Sequence, residues 1–185
     1  MIRSILTKNQ IHEEEQYLNL IDDLLNNGSL EKGRNGNTIC GIGSAMYFSL
    51  ENNKIPILTT KKLAIKTCLK ELLWFIRGET NNKLLKKQNV HIWDLNGTKD
   101  FLMSRNLNYE EDDLGPIYGH QWRHFNSKYT NCHDNYENKG IDQLQNVINN
   151  LKNPETRYSR RHVVSAWNPC QIDEMALPPC HILSQ

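Results

Sequence analysis

The sequence predicts an α+β domain, a mixed β-sheet flanked by helices, and three observations point there. Helical and extended patterns succeed one another along the 185 residues without a regular strand–helix–strand rhythm, which disfavours a doubly wound parallel sheet. The sequence contains neither GxGxxG nor GxxxxGK[ST], the glycine-rich phosphate loops of nucleotide-binding α/β folds. A chain of this length can bury one sizeable core, and no internal repeat or low-complexity linker divides it, so residues 1–185 read as a single domain.

The first element is an amphipathic helix in HEEEQYLNLIDDLLNNGS. Tyr17, Leu20, Ile21 and Leu24 recur at helical spacing, Glu13 to Glu15 favour its start, and Gly28 stops it. The polar stretch EKGRNGNTICG reads as a loop carrying Arg34, and SAMYFSL and KIPILTT as strands joined by the turn ENN. In TTKKLAIKTCLKELLWFIRGETN, Ile65, Leu69, Leu72, Leu73 and Ile76 form one apolar stripe with Lys62, Lys66 and Lys70 opposite; Thr59 or Thr60 caps this helix and Gly78 ends it. A long connection rich in aromatics, Gly and Asp then runs over 91–125, with a short helix near 101–105. The polar stretch NSKYTNCHDNYENKG is a surface excursion. Ile141, Leu144, Val147, Ile148 and Leu151 mark a further helix closed by Pro154, and RHVVSAW is a strand.

Charge and composition exclude several functions. Lys+Arg 22 against Asp+Glu 21 leaves a net charge of +1, so no global field draws the chain to nucleic acid or to a membrane surface, and any anion site is local. No apolar run approaches the roughly 20 residues of a spanning helix, and MIRSILTKNQ has no signal-peptide core, so a cytoplasmic location is expected. Five cysteines, an odd and widely spaced set, suit free thiols in a reducing compartment.

Several residues are candidates for chemistry. Glu71 falls three residues after Cys68 and four before Phe75, where helical spacing places its carboxylate in a second apolar stripe with Ala64. Burial there favours the protonated form and a proton-relay role; the plainer alternative is a surface glutamate paired with lysine. Arg160 and Arg161 directly precede a strand and are suited to bidentate phosphate contacts, as is Arg34, although alternation along a strand would point the adjacent pair apart. Cys180 follows Pro178 and Pro179 at a stiff junction, where it is either an activated nucleophile or an inert buried thiol. A metal site from Cys132, His133, Cys170, Cys180 and His181 matches no standard zinc spacing, so none is expected. Trp93, Tyr118 and Trp122 either stack a flat ligand or pack as satellite core.

Together the words PILTTKK, KELLWFIRGETN, VHIWDLNG, DLGPIYGHQWRHF, IDQLQNVI, SRRHVVSAWNP and MALPPCH, in this order over nearly the whole chain, resemble the thymidylate synthase family. The 93–115 connection and the polar stretch after Phe125 resemble its eukaryotic branch. The resemblance implies a thymidylate synthase-like fold and methylation of dUMP to dTMP by 5,10-methylenetetrahydrofolate, a co-substrate that gives both carbon and hydride and leaves dihydrofolate. It implies Cys180 as the nucleophile that adds to C6 of the pyrimidine, Glu71 as organiser of proton transfer, and Tyr118 as an aid to removal of the C5 proton. Arg34, Arg160 and Arg161 match phosphate contacts, the last two reaching across a homodimer, while Lys61, Trp93 and Asn96 match positions bordering the folate. No metal is implied. RNGNT is shorter than the family's usual RTGTGT, and NPETRYSRR carries extra residues before the arginine pair. The family continues beyond PCHILSQ, so the expectation is a C-terminally incomplete domain with little activity alone. The alternatives are a pyrimidine hydroxymethylase of the same superfamily, acting on dUMP or dCMP, and a non-catalytic truncated remnant.

Overall fold

A computed structural model describes residues 12–33 and 36–185. The architecture is α+β, with six α-helices and two two-stranded antiparallel ladders among the described residues. By its internal contacts the chain divides into two compact units, Met1–Leu63 and Ala64–Gln185.

In the first unit, helix α1 (Glu15–Asn27) follows the spacing of Tyr17, Leu20, Ile21 and Leu24. Carboxylates and an amide just before and within its first turn tie down the segments after the hairpin. Buried Glu14 accepts from the Thr59 and Thr60 N–H groups at 2.7 and 2.8 Å and from their hydroxyls at 2.5 and 2.7 Å. These bonds, with the Thr59 and Thr60 hydroxyls foremost, hold the Glu14 carboxyl down at about 2. Thr59 and Thr60, expected to cap the lysine-bearing helix, are thus committed to Glu14, and the N-cap of that helix is Ala64 with no side-chain bond. Gln16 exchanges two hydrogen bonds with the Tyr47 backbone, and Glu13 accepts from Ser49 N–H at 3.0 Å. SAMYFSL and KIPILTT, expected as strands, therefore lie outside both ladders, because side chains of the α1 region take up part of their backbone hydrogen bonding.

The ladder of this unit lies where a loop was expected. Strands β1 (Ser29–Gly33) and β2 (Gly36–Cys40) pair antiparallel, with Leu30 opposite Ile39. Asn35-Gly36 in the sequence is the dipeptide that tight hairpins favour; Arg34 and Asn35 lie outside the described residues. The ENN turn forms a short 3-10 turn, Glu51–Asn53.

In the second unit, α2 (Ile65–Ile76) buries Trp74 and Phe75, while the five residues of the expected apolar stripe remain 38 % (Ile76) to 53 % (Leu69) exposed. Two large aromatics turn the helix's buried side away from the stripe that periodicity marks. Its end is a Schellman motif: Gly78, at φ +79°, donates to Phe75 O, and Glu79 N–H reaches Trp74 O. Helices α3 (Lys83–Lys86) and α5 (Tyr118–His124) are too short to show a period, and α5 replaces part of the expected long connection. Helix α4 (Lys99–Ser104) is capped by Thr98 and α6 (Gln143–Lys152) by Asp142. Left-handed asparagines stop the chain after α3 and α4, Asn89 at φ +57° and Asn106 at +60°, and others sit in turns at Asn52, Asn53, Asn126 and Asn138. RHVVSAW forms a strand over two residues only, β3 (Val164–Ser165), paired with β4 (Leu183–Ser184).

Trp74, Leu85, Leu102, Leu114, Ile117 and Met175 are fully buried here, each burial favouring the fold by about 1.5–3 kcal/mol. Around this core the connection is pinned rather than loose. Asn82 Nδ2 donates to Asp94 and Asp112, Lys86 pairs with Asp112 at 2.7 Å, and Leu114 N–H reaches Thr80 O. Buried Asp113 orders the polar excursion, accepting from Tyr129 Oη at 2.6 Å and from Cys132 N–H at 2.9 Å.

Gly115 marks the closest approach between the 114–118 segment and the stretch leading to Cys180. Its φ is +74°, a Cβ there would stand 2.2 Å from Glu174 O, and next to it Ala176 N–H donates to Leu114 O at 3.0 Å. Gly115→Ala is expected to cost at least about 2 kcal/mol, read as a lower urea midpoint; an unchanged midpoint contradicts the close approach.

Candidate active site

Four stretches of the second unit meet around Tyr118. It opens α5, where Ile117 in extended conformation precedes the first turn, and its ring packs on Phe75 of α2 at 4.6 Å between centroids. Its Oη accepts from Cys180 N–H at 2.6 Å and from His181 N–H at 3.3 Å. Because that oxygen accepts from the backbone, its own proton remains available to a partner beyond the protein. Cys180 follows Pro178-Pro179 and is exposed, so the inert buried thiol is not what the fold presents.

Glu71 faces the same place from α2. It is half-buried, and Oε1 accepts from the indole N–H of buried Trp93 at 2.7 Å. Burial pushes its carboxyl above the ordinary carboxylate value, opposed by the Trp93 hydrogen bond and by the charge of His181. The protonated acid therefore persists to higher pH than at the surface. Lysine pairing, the plainer alternative, is not what forms: Lys70 donates to Gln88 O instead. Trp93 also lies 6.4 Å from Tyr118 and 6.5 Å from Phe75, and Trp122 flanks Phe75 at 5.6 Å. These rings pack on one another as part of the core, and the Trp93 hydrogen bond ties Glu71 to them.

The other sequence-derived residues described in the second unit lie in turns. Asn96 is half-buried in the turn after Trp93. Arg160 and Arg161 are exposed in a turn before β3 rather than on the strand, and neither guanidinium forms an ion pair among the described residues. Lys61, in the first unit, donates to Tyr17 Oη at 3.2 Å and lies over that ring. Arg34 lies outside the described residues. Cys132, one of the metal candidates, stands beside Asp113 with its thiol pushed up to about 12 by burial; among the described residues no group of three or more His, Cys, Asp or Glu side chains converges as a metal site.

Sequence reasoning weighed His181 only as a metal ligand and missed its place beside Tyr118 and Glu71. Its ring stands 6.0 Å from that of Tyr118, and its charge acts on Glu71. Adjacency to Cys180 was the available signal. What the cluster offers chemically is an exposed thiol, a phenol hydroxyl bonded to the thiol's own backbone, and a carboxyl held toward its neutral form.

Comparison with known proteins places these residues in a family context. The model of the family described as Thymidylate synthase matches residues 15–185. The chain is 53 % identical over 184 residues to the bifunctional dihydrofolate reductase-thymidylate synthase of Plasmodium berghei, covering 98 % of this chain and 30 % of that protein. It is 52 % identical over 177 residues to the probable thymidylate synthase of Schizosaccharomyces pombe, covering 94 % of this chain and 28 % of the relative. With thymidylate synthase 1/2 of Encephalitozoon cuniculi the identity is 49 % over 176 residues, 94 % of this chain and 59 % of the relative. The chain thus spans between 28 % and 59 % of the length of these relatives.

Proposed function

This chain belongs to the thymidylate synthase family, and we propose that its full-length protein methylates dUMP to dTMP with 5,10-methylenetetrahydrofolate as co-substrate, releasing dihydrofolate. The Sγ of Cys180 adds to C6 of the pyrimidine, and the electron pair moved to C5 forms the bond to the folate's methylene carbon, whose bond to the first of its two folate nitrogens opens. Water near the Tyr118 hydroxyl takes the C5 proton as the second folate nitrogen leaves, and hydride from the reduced folate completes the methyl group as the thiolate departs from C6. Glu71, biased toward its protonated form, supplies and recovers a proton at the ring's polar edge. Arg34, Arg160 and Arg161 hold the nucleotide phosphate, the last two from the partner of a homodimer; Lys61, Trp93 and Asn96 border the folate. Residues 1–185 belong to a single catalytic domain of a protein that works in the cytoplasm; among the described residues no helix is long and apolar enough to cross a membrane.

The observation that supports this reading most is the 2.6 Å contact between Tyr118 Oη and the backbone of Cys180, beside the Glu71–Trp93 pair. The test is to incubate the full-length protein with dUMP and 5,10-methylenetetrahydrofolate and to follow dTMP and dihydrofolate together. Equal amounts of both are expected. Hydroxymethylated nucleotide, or no product from folded protein, overturns the proposal.

A further inference from the structure

Three buried amides stand behind the Tyr118–Cys180 contact, and no step of the proposed reaction uses them. Gln121 is fully buried on α5, and Asn168 and Gln171 are nearly so on the stretch that leads to Cys180. They close a triangle. Gln121 Nε2 donates to Gln171 Oε1 at 3.0 Å, Asn168 Nδ2 donates to the same oxygen at 3.0 Å, and Asn168 Nδ2 also donates to Gln121 Oε1 at 3.1 Å. The second Gln121 N–H goes to Pro116 O at 2.8 Å, and Gln171 Nε2 donates to Ser127 O at 3.0 Å. The directions are fixed: flipping any one amide would set N–H against N–H or oxygen against oxygen in a buried place.

We propose that Gln121, acting with Asn168 and Gln171, is a positioning residue that holds the Tyr118 hydroxyl in register with Cys180. Two stiff arms leave the triangle. One is Pro116, two residues before Tyr118, whose carbonyl Gln121 grips. The other runs from Gln171 through Ala176, bonded to Leu114, to Pro178-Pro179 and then Cys180. The two arms meet again at the Tyr118–Cys180 hydrogen bond, so a shift at the triangle has few soft torsions in which to dissipate. A shared site for both segments needs this lock because they lie far apart in sequence, with Gln121 and Gln171 fifty residues from one another.

The proposal rests on the reading of Tyr118 and Cys180 given above, but its test does not need turnover. Amide hydrogen exchange is measured at Cys180 and His181 in the full-length protein. Tyr118→Phe, which removes the acceptor, is expected to speed exchange there roughly tenfold. Gln121→Met, similar in size but unable to bond, is expected to speed it comparably while Leu85 and Leu102 in the core keep their protection. In the double variant no further increase is expected, because both changes remove the same hydrogen bond. Three results overturn the proposal: wild-type exchange at Cys180 in Gln121→Met, effects that multiply in the double variant, or acceleration that includes Leu85 and Leu102. Should Gln121→Met fail to fold, Asn168→Ser breaks two sides of the triangle, leaves the Pro116 bond in place, and is read by the same criteria. Failure of the thymidylate synthase reading shows separately, as absence of dTMP from the wild-type protein.

Discussion

A full-length protein carrying Cys180→Ser is expected to form dTMP more slowly by on the order of a thousandfold or more. The serine hydroxyl stays protonated near neutral pH, whereas a thiol supplies an appreciable fraction of a far better nucleophile. The change should leave the site otherwise intact. Cys180 is exposed, and its link to Tyr118 runs through its backbone N–H, which serine retains. The KM for dUMP should therefore stay near the wild-type value while kcat falls. Release of tritium from C5-labelled dUMP measures this directly, and a serine variant with wild-type release would remove Cys180 from the chemistry.

Glu71→Gln is expected to lower kcat by about a hundredfold without weakening the fold. The glutamine oxygen still accepts from Trp93 N–H, but the side chain can no longer exchange a proton. The sign of the stability effect follows from the raised value of Glu71. An acid whose folded value lies above its unfolded one stabilises the fold at pH below the ordinary carboxylate value, and that contribution is lost as pH rises through the folded value. Above its folded value the wild-type carboxyl is a partly buried charge that glutamine is not. The urea midpoint of the variant at pH 8 should therefore equal or exceed that of the wild type even as dihydrofolate formation collapses. A variant with kcat within about twofold of wild type would assign Glu71 a purely structural part.

Local signals in the sequence carried to the structure; pairings between distant residues did not. Helices α1 and α6 have clear periods and clear stops, and both formed. The partial burial of Glu71 could be read from its spacing to Cys68 and Phe75. The β1–β2 hairpin was also legible in Asn35-Gly36, but the polar composition around it reads as loop. Periodicity misjudged α2 because a stripe of leucines and isoleucines says nothing of which side a neighbouring Trp74 will be drawn to. The Trp93–Glu71 bond spans twenty-two residues, and the Tyr118–Cys180 contact sixty-two. No local pattern encodes such meetings; they arise only when the core brings α2, α5 and the proline-stiffened segment together.

The left-handed asparagines bear on how this gene can drift. An asparagine codon is one base change from isoleucine, threonine, lysine, aspartate or serine, while glycine, the residue most at ease in that conformation, lies two changes away. At Asn89 or Asn106 the isoleucine route is closed by its branched Cβ, and the path to glycine passes through aspartate or serine, short polar side chains that can still bond to the nearby backbone. A single base change at these helix ends therefore trades asparagine for a residue less at ease at positive φ than glycine, and each such change is expected to weaken the stop it replaces.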